Sequence, residues 1–127
     1  MAEQVPEKLL YTASHEWVKV EGKTLTVGIT DHAQAELTDI VFVELPKVGM
    51  KLEEGKVAGV LESVKTVADI FAPAAGTISS VNESLKTKPE LVNKEPYGGG
   101  WIFTLEADQV PATLLSADKY KSLTAPK

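Results

Sequence analysis

The chain of 127 residues contains no cysteine, which excludes disulfides, zinc–thiolate sites and a thiol nucleophile together. Any dithiol redox chemistry here has to arrive on a cofactor. Two histidines are too few for a multi-histidine metal site within one chain. Basic residues are not in excess: 13 Lys+Arg against 18 Asp+Glu give a net charge of −5. That balance argues against nucleic acid or an anionic membrane surface as the principal partner. No window approaches the roughly 20 apolar residues of a membrane-spanning helix. Residues 1–7 are acidic and have no apolar centre, so they read as neither a secretory signal nor a transit peptide, and the expected location is cytoplasmic.

What is present describes an ordinary globular chain, 43% hydrophobic and 24% charged, of a size that suits one domain over residues 1–127. The chain is organised around residues 61–73. Two β-prone runs, Lys56-Val57-Ala58-Gly59-Val60-Leu61 and Thr66-Val67-Ala68-Asp69-Ile70-Phe71, flank a polar centre that holds Lys65. The spacing predicts two antiparallel strands with Val64-Lys65 at the bend. As a turn this is poorly specified, because two-residue hairpin loops favour Gly or Asn at positive φ. A lysine in that place is either a plain solvated charge or an amine displayed for acylation.

The rest reads as short strands punctuated by Gly and Pro. A strand or extended entry at 9–12 and a polar interruption at Ser14-His15-Glu16 precede a hairpin over 17–29, in which Leu25, Val27 and Ile29 share one face. His15 and Glu16 do not suit an acid–base pair, since neighbouring strand residues point to opposite faces. A helix capped by Thr30 or Asp31 spans 31–37, with His32 read as structural. A strongly β-prone run covers 40–45 and stops at Pro46, and Met50-Lys51-Leu52 is a short strand between turns. Gly76 is expected to turn the chain into a strand at 77–81, and Asn82 to cap one helical turn. Gly98-Gly99-Gly100 is a loop without the lysine and helix of a phosphate cradle. A strand is expected over 101–105, and a C-terminal helical extension over about 108–124, in two pieces at 110–115 and 116–123. Together these elements predict a mainly β sandwich or flattened barrel with peripheral helices.

Glu62-Ser63-Val64-Lys65-Thr66 followed by Asp69-Ile70-Phe71-Ala72-Pro73 resembles the lipoylation hairpin of the glycine cleavage system H protein family. Ser14-His15-Glu16-Trp17-Val18, Gly28-Ile29-Thr30-Asp31-His32-Ala33-Gln34, Val43-Glu44-Leu45-Pro46, Pro89-Glu90-Leu91-Val92-Asn93 and Pro96-Tyr97-Gly98-Gly99-Gly100-Trp101 extend the resemblance, in the family's order. It implies the barrel-sandwich hybrid, or hammerhead, of lipoyl and biotinyl domains, and a carrier that is not itself an enzyme. Lipoate would be attached to Lys65 by a lipoate ligase or lipoyl transferase. The arm would carry an aminomethyl group from glycine decarboxylase to an aminomethyltransferase, and dihydrolipoyl dehydrogenase would reoxidise it.

Glu62 and Asp69, the acidic charges between Leu61 and Pro73, are expected to act as a signature read by partner surfaces and by the lipoylating enzyme; the resemblance adds a second set of residues. Ser14, Glu16 and Asp69 become candidates to shelter the loaded arm, although Ser14 and Glu16 equally suit the ordering of the turn between Tyr11 and Trp17. Relatives can carry a histidine at the position of Glu36, so the resemblance leaves Glu36 without a role. Three other readings stay open. One is a lipoate-relay or sulfur-oxidation carrier of the same fold. Another is a biotin carrier, against which Val64 and Thr66 stand where methionines are usual, and the last is an unmodified binding module. A shuttle of this kind gains from being monomeric.

Overall fold

The computed structural model describes residues 4–124; part of the acidic leading segment and the last three residues of the expected domain lie outside them. Among the described residues nine strands form two antiparallel sheets: β1 (Leu10–Tyr11), β2 (Glu16–Glu21), β3 (Thr24–Ile29), β4 (Ile40–Glu44), β5 (Lys51–Leu52), β6 (Val57–Ser63), β7 (Val67–Phe71), β8 (Gly76–Val81) and β9 (Phe103–Ala107). The larger sheet runs β1-β2-β3-β9-β8-β5, and the smaller runs β4-β6-β7. Helices α1 (Asp31–Leu37), α2 (Leu91–Lys94) and α3 (Ala117–Thr124), with a 3-10 turn at Glu83–Lys86, occupy the periphery.

Alternation in the strands builds the core. Val18, Leu25, Val27, Phe103, Leu105 and Ile78 from the larger sheet meet Ile40, Val43, Leu61 and Ile70 from the smaller. Each fully buried side chain of this size contributes about 2 kcal/mol. A second, aromatic cluster lies at one end, where Tyr11 and Tyr120 stack with ring centroids 4.7 Å apart beside Trp17 and Ala117. It fastens α3 to β1 and β2.

Local signals read from the sequence appear where expected at several elements. Thr30 caps α1 by accepting from the Ala33 N–H at 3.2 Å, and Asn82 caps the 3-10 turn. Four expectations need correction. Glu16 belongs to β2 and not to a polar interruption. The last strand begins at Phe103, two residues later than expected. Gly76 lies within β8, paired with Ala107. Residues 110–115 of the expected helical extension are not helical, because Tyr11 and Leu115 exchange backbone hydrogen bonds of 2.8 and 2.7 Å. That exchange fixes Leu115 against β1 while the residues before it form a turn, in which the Leu114 N–H donates to the Pro111 carbonyl at 3.5 Å, and α3, with Ser116 accepting from the Lys119 N–H, is helical.

Candidate functional site

β6 and β7 form the lysine hairpin in the register Glu62↔Val67, Leu61↔Ala68 and Val60↔Asp69. Neither Val64 nor Lys65 takes a positive φ, so another device must close the turn. It is Ser63, whose hydroxyl is buried under the loop. Ser63 Oγ accepts from the N–H groups of Lys65 at 3.3 Å and Thr66 at 3.1 Å, and donates to the Thr66 carbonyl at 3.1 Å. The Ser63 N–H donates to the same carbonyl at 2.8 Å. A local serine thus replaces the usual glycine chemistry, and Lys65 stands exposed at the tip. No ion pair engages it among the described residues.

The pairing places Val60, Glu62, Val67 and Asp69 on the outward face, and Leu61, Ser63 and Ile70 are buried. Glu62 and Asp69 therefore share an exposed face around the lysine. Beside β7 lies a cleft of about 350 Å³, lined by Ser14, His15, Glu16, Ile29, Ala33, Glu36, Leu37, Leu61, Ala68 and Asp69. The three residues expected to shelter an arm, Ser14, Glu16 and Asp69, thus converge on one cavity. Glu62 does not line it.

Glu16 is 1% exposed. Its Oε1 accepts from Thr12 Oγ1 at 2.5 Å and Ser14 Oγ at 2.6 Å, and its Oε2 accepts from the Phe71 N–H at 3.2 Å. The carboxylate joins the turn before β2 to the end of β7, so the turn-ordering role is realised. Burial raises its pKa above 4.5, against the opposing pull of the bonds from Ser14, Thr12 and Phe71. In the window above 4.5 the folded protein holds this proton more tightly than the unfolded chain, so stability from this group falls as pH rises through the window. The wild type should therefore melt progressively higher than Glu16→Gln as pH is lowered from neutrality toward 4.5. A melting difference that does not change with pH refutes it.

His15, at φ 72°, places Nδ1 2.7 Å from Tyr120 Oη, which is also 2.7 Å from the buried Thr30 Oγ1. His15 and Glu16 thus serve different networks. His32 Nε2 lies 2.8 Å from Glu36 Oε1 on the same helix, which gives Glu36 a local partner at the cleft rim. Among the described residues no group of three or more His, Asp or Glu is arranged to hold a metal ion. In the triple glycine the last member is a packing device: a Cβ on Gly100 would sit 2.6 Å from the Leu91 carbonyl and 2.7 Å from that of Glu95. Reading the sequence missed Ser63, Thr12 and Tyr120. Serine two residues before the lysine was the available signal for the first; Tyr120 lies more than a hundred residues from His15 and gave none.

The chain matches the family model described as "Glycine cleavage H-protein" over residues 9–127. It is 50% identical over 117 residues to the glycine cleavage system H protein of Rubrobacter xylanophilus, covering 92% of each chain. It is 54% identical over 115 residues to that of Deinococcus deserti, covering 91% of this chain and 93% of the relative. A probable glycine cleavage system H protein of Haloarcula marismortui is 50% identical over 123 residues, covering 95% and 97%. The crystal structure of a glycine cleavage system H protein from Mycobacterium marinum superposes with a TM-score of 0.87 at 39% identity, covering 93% of this chain and 97% of that one. With the hairpin, the cleft and these likenesses in hand, the chain belongs to the glycine cleavage H-protein family, the non-enzymatic lipoyl carriers of the glycine cleavage system.

Proposed function

We propose that this protein, working in the cytoplasm as a single lipoyl domain, carries lipoate in amide linkage on Lys65. It would present the arm in turn to glycine decarboxylase, an aminomethyltransferase and dihydrolipoyl dehydrogenase. The observation that carries the reading is a lysine exposed at the tip of a hairpin that is closed by its own serine. The residues present fit the group. An amide needs an accessible amine, and the arm beyond it needs an apolar seat with a few polar contacts. Ile29, Ala33, Leu37, Leu61 and Ala68 supply the seat, and Ser14, Glu16 and Asp69 the polar contacts. Asp69 lies four residues from Lys65, at most about 14 Å of chain, within reach of an extended lysyl-lipoyl side chain.

Lipoate, when bound, supplies the dithiol on which an aminomethyl unit can travel. This chain's residues supply position and shelter. The cleft's apolar walls would shield a seated arm from water, while the Glu16 and Asp69 carboxylates and the Ser14 hydroxyl line the same cleft and could hold an ammonium group by charge-assisted hydrogen bonds. The test is intact mass and peptide mapping after incubation with a lipoate ligase or transferase, followed by glycine turnover with the three partner enzymes. Lipoyl, biotinyl and unmodified forms differ plainly in mass. Lipoyl on Lys65 that supports turnover is the expected result; a bare chain, or lipoyl on Lys65 without turnover, overturns the reading.

Two further results are expected. Glu62 is exposed on the outward face, and exposed charges tune association rate more than affinity. Glu62→Gln should slow lipoylation about threefold at low salt and flatten its salt dependence; identical rates across ionic strengths would retire the acidic signature. Glu16→Ala removes three accepted hydrogen bonds, and should lower stability by about 2 kcal/mol. If Glu16 also shelters the arm, ammonia release from purified, loaded protein should rise by more than the loss of folded protein explains. Release that tracks unfolding alone would leave Glu16 as the turn's anchor only.

A further inference from the structure

Resting on the reading of Lys65 as the modified residue, we infer that Asn93 is a positioning residue for that modification. Through Thr38 and Asp39 it fixes the orientation of the lysine hairpin's tip. From inside, the tip is held by Ser63. From outside, the β4–β6 ladder runs on to it as a tether: the Val64 N–H donates to the Asp39 carbonyl at 3.0 Å, next to the Ile40↔Ser63 pair. Thr38 and Asp39 are the two residues between α1 and β4, and both are exposed. The Ile40↔Ser63 pairing of β4 with β6 already brings Asp39 opposite Val64, and the Asn93 side chain steadies that exposed end of the ladder.

The Asn93 side chain holds that link from both sides. Its Nδ2 donates to the Thr38 carbonyl at 2.7 Å, and its Oδ1 accepts from the Ile40 N–H at 2.9 Å. The same Nδ2 reaches Gln34 Oε1 at 3.1 Å, and the Thr38 N–H closes α1 by donating to the Gln34 carbonyl at 2.9 Å. One amide thus brackets Asp39 from a helix more than fifty residues away in the chain. Thr38 sits at φ 64°, ψ −151°, a backbone region that belongs to glycine and persists only where the surroundings over-determine it. The Asn93 clamp is what over-determines it here.

The clamp acts on orientation more than on the core. Val64 is 67% exposed, and water would satisfy its N–H if the tether were absent. What the tether restricts is the direction in which the neighbouring Lys65 leaves the hairpin. An acylating enzyme must align the lysine Nζ with an activated acyl carbon, and small misplacements of a reacting atom are heavily penalised.

Asn93→Asp tests this, since it keeps an acceptor for the Ile40 N–H and deletes both donated bonds. In wild type, the Val64 amide should exchange with solvent more slowly than it does in the unfolded chain. In Asn93→Asp, Val64 exchange should quicken about tenfold, and the kcat for lipoylation should fall about tenfold with KM nearly unchanged. Acylation of Lys65 by a small activated ester should stay at the wild-type rate, because exposure of the amine is unaltered. Asn93→Ala should behave likewise. Unchanged lipoylation in a folded Asn93 variant overturns the proposal, whether or not Val64 exchange has moved. So does a wild-type Val64 amide that exchanges at the unfolded rate, which decides the matter even if both variants fail to fold. Wild-type protein that takes no lipoate on Lys65 would instead overturn the functional reading, and the exchange data would still judge the clamp.

Discussion

Lys65→Arg is expected to take up no lipoate at all, and to keep the wild-type stability within about 0.5 kcal/mol. The side chain is exposed at the hairpin tip and makes no ion pair among the described residues. The turn is closed by the Ser63 hydroxyl and by backbone groups, to which Lys65 contributes only its N–H. Arginine leaves all of that in place and keeps the charge. It cannot keep the chemistry. A lysine amine can be deprotonated by a ligase or transferase and then attack an activated acyl group. A guanidinium stays protonated and has no comparable nucleophile. Intact mass after exhaustive lipoylation, with a thermal melt on the same sample, gives both readouts. A lipoyl group found on any other lysine would refute the assignment.

Gly76→Ala should be the most damaging single-methyl change in the protein, lowering stability by about 4 kcal/mol. Gly76 pairs with Ala107 on one side and Leu52 on the other. A Cβ there would lie 2.2 Å from the Glu106 carbonyl oxygen and 2.9 Å from Ala107 Cα. Those atoms are backbone of the adjacent strand β9, which is itself paired to β3, so no rotamer change can make room. The melting temperature should drop by roughly 15 °C. Gly22→Ala is the control: it sits at φ 66° with open space around it, and should cost only about 1 kcal/mol. A Gly76→Ala protein that melts near the Gly22→Ala protein would mean that β8 slides past β9 freely.

The same glycine shows what the sequence could and could not convey. A glycine beside Ala-Pro-Ala-Ala reads as a turn, and nothing local reports that another strand's backbone presses on it. Period-two alternation found β3, because Leu25, Val27 and Ile29 turn inward together. It found the lysine hairpin from two β-prone runs about a polar centre. It placed helix over residues 110–115 because a proline followed by Ala, Thr and two leucines suits a first helical turn. The competing demand was remote, in the hydrogen-bonding edge of β1. At the site, resemblance to a known pattern put forward Lys65, Ser14, Glu16 and Asp69 as candidates. Ser63 and Asn93 act through bonds to backbone atoms, which leave no periodic or charge signature in a single sequence.

The strip that pairs with β1 also bears on how copies of this chain behave toward one another. An open outer strand offers a row of unpaired N–H and C=O groups, on which a second chain can continue the sheet. Here Leu115 takes up both bonding groups of Tyr11 on that side. At the far border of the same sheet, β5 is only two residues long and bears Lys51, too short and too charged to template growth. Both borders of the six-stranded sheet are thus closed to such growth, one of them by the C-terminal tail.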